Sequence, residues 1–331
     1  MKFFRVFCAV IILFCGLFTV FIGKDKISEK INVEEQKEYR EVISLWHIDT
    51  FEGGFGSRKQ FLLDASVGFE KQNQGVLIMV TSMSKESAKN SFENGIYPDI
   101  VSSGIGLNIP AENELSSAPS QIGGMVGNKV YATPWCRGNY FLIAKNQAEL
   151  NKSEIDSITV SQNGSNLPLL SLLFSGVKVK NVKSLEPLKA YADFIGAKNG
   201  VMLGTQRDVI RLNARGYSFY SKPLEKYNDL YQYLYVTSAS VSKSVYAEKF
   251  IKYLTCEEVQ KKLFKIGLMS PFYSVESDID TLVDAQKLSE FSTVSAFILP
   301  EKIAQASELS HSAIKGDISA ENKLKNLIVT P

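Results

Sequence analysis

Two histidines, His47 and His311, are the whole imidazole inventory of this 331-residue chain. His47 stands in the segment WHIDTFE, with Asp49 and Glu52 close behind it. One imidazole beside two carboxylates falls short of the three or four converging ligands that a metal normally requires, and His311 is far away on an amphipathic C-terminal helix. A structural or ligand-hydrogen-bonding role fits His47 better, so no metal site and no cofactor are expected. Serine chemistry lacks its setting too, because there is no G-x-S-x-G elbow and no suitable histidine with an orienting acid. Gly104-Ile105-Gly106 is not a dinucleotide loop, since Ile109 occupies the place of the third glycine and no acid-tipped strand follows at the right interval. The inventory is not that of an enzyme.

What remains is recognition. Trp46, Trp135 and Tyr140 offer faces that pack against the C–H face of a sugar or against a cation, although each also suits a core. Trp135 stands out because Pro134 before it and Arg137-Gly138 after it suggest an irregular loop rather than a strand interior. Thr205, Gln206, Arg207 and Asp208 follow the apolar run VMLG and combine donors with acceptors, as a hydroxyl-rich ligand requires. The same residues also read as a helix start capped by Thr205, and the two readings are compatible. Ser103 belongs with these candidates, because the short strand around Ile100 and Val101 ends in small residues that leave backbone amides open to a ligand.

The elements that must position these residues can be read from periodicity. Ser57-x-x-Gln60 reads as a capping box opening a helix in which Phe61, Ala65 and Phe69 recur every four residues, with Gly75 past its end. Thr255-x-x-Glu258 reads as a second box, opening a helix that carries Val259, Leu263 and Ile266 and stops at Gly267. Short apolar runs at 42–46, 76–80, 100–101, 201–203 and 233–236 alternate with helical segments, which predicts α/β layers with largely parallel strands.

Lys+Arg and Asp+Glu number 37 and 35, a balance without the basic stripe that nucleic acid would demand. The length suffices for about two domains. Cys136 and Cys256 have no metal-like spacing, and two distant cysteines do not establish a disulfide. Lys2 and Arg5 precede an unbroken apolar run from Val6 to Ile22, with Gly23 and Lys24 after it. That run is at the short end of a membrane span, and the basic flank keeps the amino end cytoplasmic and exports the rest of the chain. Residues 1–23 are thus a signal-anchor or signal peptide, 24–40 a charged tether, and the fold starts near Glu41.

Three segments carry a resemblance: GIYPDIVSSG at 95–104, GNKVYATPW at 127–135 and NYFLIAKN at 139–146. Together with VISLWHIDTFEG at 42–53, VGFEKQNQGVLIMV at 67–80, NGVMLGTQRD at 199–208 and the stretch 233–271, in that order, they resemble the extracellular solute-binding proteins of ABC importers, in particular the sugar-binding, maltose-binding-protein-like family. The resemblance implies a two-lobed periplasmic-binding-protein-like fold of type II. Lobe 1 would be 41–137 plus 231–290 and lobe 2, trimmed, 138–230 plus 291–331, with two crossings forming a hinge. It also implies capture of a small solute, expected to be a carbohydrate, in a cleft lined by Trp46, Asp49, Glu52, Ser103, Trp135, Tyr140, Thr205, Gln206 and Arg207. The implied partners are ABC importer permease subunits, on the extracellular face of the cell membrane. Phe14 before Cys15 and Phe7 before Cys8 depart from the lipoprotein pattern of such proteins, which favours an uncleaved anchor. A membrane-tethered sensor signalling to a receptor such as a histidine kinase is the alternative on the same fold.

Overall fold

A computed structural model of the chain describes residues 39–48, 56–110, 112–116, 122–162, 164–197, 200–288 and 292–328. The expected membrane segment and nearly all of the charged tether lie outside these residues. Among the described residues no helix is long and apolar enough to cross a membrane. The chain divides after Arg40, and the strands and helices of the described residues belong to the unit Glu41–Pro331.

The first stretch alternates strand and helix: β1 (Glu41–Ile48), α1 (Arg58–Gln72), β2 (Val76–Met83), α2 (Lys85–Glu93) and β3 (Ile100–Ser103). A small hairpin of β4 (Met125–Val126) and β5 (Lys129–Val130) turns at Gly127, whose φ of 60° suits glycine. Next come β6 (Ala132–Arg137) and β7 (Tyr140–Ala144), then α3 (Gln147–Leu150), β8 (Glu154–Ser161), α4 (Pro168–Phe174) and β9 (Lys178–Leu185). These lead to α5 (Pro187–Gly196), β10 (Val201–Thr205), α6 (Gln206–Ala214) and β11 (Tyr220–Pro223). The chain ends with β12 (Tyr231–Val236), α7 (Val241–Leu254), α8 (Glu257–Gln260) and its 3₁₀ continuation Lys261–Ile266, α9 (Asp280–Lys287), α10 (Pro300–Ala313) and α11 (Ile318–Ile328).

The strands form two five-stranded sheets, ordered β2-β1-β3-β12-β6 and β11-β7-β10-β8-β9. The expectation of largely parallel strands holds for only half of the pairings. β1 runs parallel to β2 and β3, and β8 parallel to β9 and β10, as helix crossovers require. β12 pairs antiparallel with β3 and β6, and β7 antiparallel with β10 and β11. The antiparallel pairings arise because β6 passes directly into β7, and β12 returns from β11, so these strands enter their sheets from the opposite end.

Both faces of each sheet are covered, and the period of two along the strands sorts the side chains. In β7, Tyr140, Leu142 and Ala144 join a core with Leu167, Leu169 and Leu324, while Phe141 and Ile143 face Tyr191, Phe194, Leu212 and Leu282. In β12, Tyr231, Tyr233 and Tyr235 face Phe92 and Ala296, while Leu234 and Val236 face Phe61, Phe250 and Leu254. Ser57 caps α1 by accepting from the Gln60 amide, as its box predicts, but Gln60 Nε2 turns to Asp64. The second expected box does not form. Thr255 ends α7 and its hydroxyl donates back to the Ile251 carbonyl, because the apolar periodicity of α7 carries the helix to Leu254. Gly267 does terminate the following 3₁₀ turn, at a φ of 69°.

The connections between the sheets interlock. Gly138 donates to the Leu230 carbonyl at 2.7 Å, tying the β6–β7 passage to the β11–β12 passage, and Asn228 braces both by donating to Gly138 O and accepting from Leu230 N. Beyond β12 the chain returns to the second sheet before residue 290. Leu282 and Ala285 of α9 pack with Phe141 and Ile143, and Thr281 meets Ser221. The segment 292–298 then lies over the tyrosine face of β12, with Tyr235 donating to the Ala296 carbonyl. Arg137, at the end of β6, spans this arrangement by donating to the carbonyls of Ser270, Ala285 and Gln286. Two of those acceptors sit at the C-terminal end of α9, where a cation is favoured.

Candidate functional site

A cleft of about 450 Å³ opens between the two sheets, within the range of small-molecule sites. Gly104 and Ile105, just past the end of β3, line it together with Lys85 at the start of α2. From the second sheet come Ser161 and Gln162 at the end of β8, Thr205 at the end of β10, and Tyr140 at the start of β7. Carboxyl ends of parallel strands are where α/β sheets leave such a crevice. Asp229, Leu230 and Tyr231 on the returning passage form the back, and Ile303, Ser307 and Glu308 of α10 form another wall.

The chemistry of the lining is that of hydroxyls, amides and one buried carboxyl. Tyr140 donates its hydroxyl to Asp229 Oδ1 at 2.7 Å. Burial pushes the Asp229 carboxyl up to about 6, although the Tyr140 hydrogen bond opposes the shift. Burial likewise raises the Tyr140 phenol well above its ordinary value, so it remains a donor. At the start of α6, Asp208 Oδ2 accepts from the Thr205 amide at 2.9 Å, the half of a capping box that the carboxylate supplies. The Thr205 hydroxyl and the buried Gln162 Oε1 have no hydrogen-bond partner among the described residues. These are groups able to engage a hydroxylated ligand.

Of the residues singled out in the sequence, Tyr140 and Thr205 line the cleft and Ser103 lies one residue from it, donating to the Gly104 carbonyl at 3.0 Å. Asp49 and Glu52 lie outside the described residues. Trp135 is in a strand interior, contrary to the loop expected. It is fully buried, its ring stacks on Phe61 at 5.7 Å, and its indole donates to Ser102. The register of β6 against β12 shifts beside it, between Gln232 and Tyr233. Pro134 is tolerated there because β6 is an edge strand. The Pro-Trp pair therefore marks an irregular edge and not a loop. Trp46 is half-buried, stacks on Phe92 at 6.1 Å and is not among the residues lining the cleft. Gln206 is fully buried as a fastener, accepting from the Asn139 amide and donating to the Gly267 carbonyl. Arg207 is buried beside Asp208, with Nε 4.0 Å from Oδ1, and does not reach the cleft wall.

His47 is structural. Ser102 Oγ accepts from Trp135 Nε1 at 3.0 Å and Gln232 Nε2 at 3.3 Å, which uses both of its lone pairs. Its single proton is then available to His47 Nδ1, 3.1 Å away. Asp99 of the PDI segment is structural as well. It ties Ser44 of β1 to Ser238 and Lys243 beyond β12. Among the described residues no three acidic, histidine or cysteine side chains converge as a metal site would require. Sequence reasoning missed Asp229, Lys85 and the α10 wall. The one available signal was Asp229 itself, an acid directly preceding the apolar, tyrosine-rich run LYQYLYV at the return passage.

No protein-family model and no curated relative matches the sequence. Solved structures do match over most of the chain. The GacH receptor of Streptomyces glaucescens, solved unliganded and with acarbose, is 14% identical, with 87% of this chain and 98% of that one covered and a TM-score of 0.57. The sugar-binding protein MalE of Xanthomonas citri is 12% identical, with 86% and 95% covered and a TM-score of 0.60. The galacto-N-biose-/lacto-N-biose I-binding protein of an ABC transporter from Bifidobacterium longum is 13% identical, with 87% and 95% covered and a TM-score of 0.55. At these identities the likeness is one of fold, and the fold of this chain is that of the two-lobed sugar-binding proteins of ABC transporters.

Proposed function

We propose that this protein captures a small hydroxylated solute, a carbohydrate in the first instance, in the cleft between its two sheets and presents it to an ABC-type importer. The observation that carries this reading is the lining. Ser161, Gln162, Ser165, Thr205, Ser307 and the Tyr140–Asp229 pair surround one cavity of about 450 Å³, an arrangement made for a ligand that both donates and accepts. Ligand touching both walls would favour the closed form by its differential affinity alone, with no bond made or broken. The sugar ligands of the structural neighbours support the same class.

The location proposed is the outer face of the cell membrane. The basic flank and apolar run of residues 1–23 would hold the chain there as an uncleaved anchor, and permease subunits would be the receiving partner. Titration calorimetry of the purified protein with maltotriose, lacto-N-biose and acarbose, against a peptide and an anion as controls, tests the ligand class. Saturable binding confined to sugars is expected, and binding confined to the peptide or the anion would refute it. Mass spectrometry of protein recovered from its own membranes tests the anchor. A chain beginning at lipidated Cys15, or near Lys24, would overturn it.

A further inference from the structure

We infer that Asp229 anchors the solute by accepting its hydrogen bonds, and that ionisation of this one carboxyl gates capture. The inference rests on the solute-binding reading and adds to it a recognition residue and a means of control.

The geometry supports it in three ways. Asp229 stands on the passage between β11 and β12 and lines the cavity together with residues of both sheets. Its Oδ1 is held by the Tyr140 hydroxyl, and among the described residues no other side chain hydrogen-bonds the carboxyl. A carboxylate offers about four acceptor sites, so most of its capacity is left for an occupant. Its charge is also uncompensated. Tyr140 of β7 touches it, and Tyr227 and Tyr233 interact with it along its own segment and β12. All three are phenols that burial keeps neutral. Lys85 lines the same cavity from α2 but, among the described residues, forms no ion pair with Asp229, and Glu308 lines the cavity from α10 with a charge of the same sign.

An ionised carboxylate in such a place accepts strongly from hydroxyl or ammonium donors. Once protonated it spends one oxygen on its own hydrogen and loses much of that strength. A solute that donates to it therefore selects the ionised form, and binding near the midpoint releases a proton. Burial already places that midpoint at about 6, within reach of an acidified exterior. An anionic solute would meet repulsion and gain nothing from ionisation.

The test is calorimetric titration of the full chain with maltotriose, lacto-N-biose and acarbose at pH 7.5 and pH 5, repeated at pH 6 in two buffers of different ionisation heat. Affinity of the wild-type protein should fall about tenfold from pH 7.5 to pH 5, because a group with this midpoint is roughly one-tenth ionised at the lower value. Proton release should appear at pH 6. Asp229→Asn should bind more weakly at pH 7.5, show no pH dependence over this range, and release no proton. Tyr140→Phe should move the midpoint to higher pH, since the lost hydrogen bond was holding the carboxyl down. Equal affinity and an unchanged pH profile in Asp229→Asn, or no proton release by the wild type, would overturn the inference while leaving solute binding intact. If wild type binds none of the sugars at either pH, the carbohydrate reading itself fails and the anchoring role goes with it.

Discussion

Truncating Trp135 separates a core residue from a ligand-stacking one. The indole is completely buried, stacks on Phe61 and donates to Ser102. Removing a fully buried tryptophan down to alanine costs about 3–5 kcal/mol, which includes the cavity left behind and the lost ring contact. The Ser102 hydroxyl would also lose one of its two donors, a further net loss of about 1 kcal/mol. For a unit of this size each kcal/mol lowers Tm by about 2–3 °C, so Trp135→Ala, at about 4–6 kcal/mol in total, should melt roughly 8–18 °C below the wild type. Trp135→Phe keeps most of the packing and should lose about half as much. Urea unfolding followed by circular dichroism, with calorimetry for Tm, measures both. A Trp135→Ala protein as stable as wild type, with sugar binding abolished, would refute the core assignment and return Trp135 to the cleft.

Substitutions at three further positions probe the same structure. Arg137→Ala strips the donor from three carbonyls that join β6 to the end of α9; hydrogen bonds from a charged donor are worth about 1.5–3 kcal/mol each, though not additively, so a loss above about 3 kcal/mol is expected in urea unfolding. Arg137→Lys should recover part of it. Gly204→Ala sets a Cβ 2.7 Å from Asp208 Oδ2 and 3.2 Å from Ile143 and Met202, and overpacking against the α6 cap should cost about 1–3 kcal/mol by the same measurement. Asp229 should make stability fall with rising pH: its folded-state pKa is raised from 3.8 to about 6, so its contribution is fully present below the lower value and lost as pH passes through the upper one. Asp229→Asn should therefore be more stable than wild type at pH 8 by up to about 3 kcal/mol and lose that advantage near pH 4. A wild-type and variant difference that does not change with pH would contradict the buried, uncompensated carboxyl.

A binding residue that weakens the protein holding it is an expected cost of function. A carboxyl paired only with a phenol is stabilised less by its own fold than a salt-bridged one, and the remaining capacity is what the proposed solute would use. Gln206 shows the opposite case: its amide is satisfied on both sides, by Asn139 and Gly267. Nothing of it is left for a ligand, so its polar chemistry serves to fasten the passage between the sheets.

The sequence by itself determined what is local. The 3.6-residue recurrence of Phe61, Ala65 and Phe69, the Ser57 cap and the left-handed Gly267 stop depend on neighbours a few residues away, and each forms where the spacing places it. The order of short motifs also identified the fold, because their succession tracks the path of the chain through its strands. Tertiary structure alone decided which polar and aromatic residues meet. Trp135 and Tyr140 are five apart and equally aromatic, yet an edge strand turns one into the core while the start of β7 turns the other to the cleft. Asp229 acquires its character only when Tyr140, 89 positions earlier, is brought to 2.7 Å and both are buried by packed neighbours. Burial is a property of packed neighbours from distant segments, and no spacing along one strand or helix encodes it.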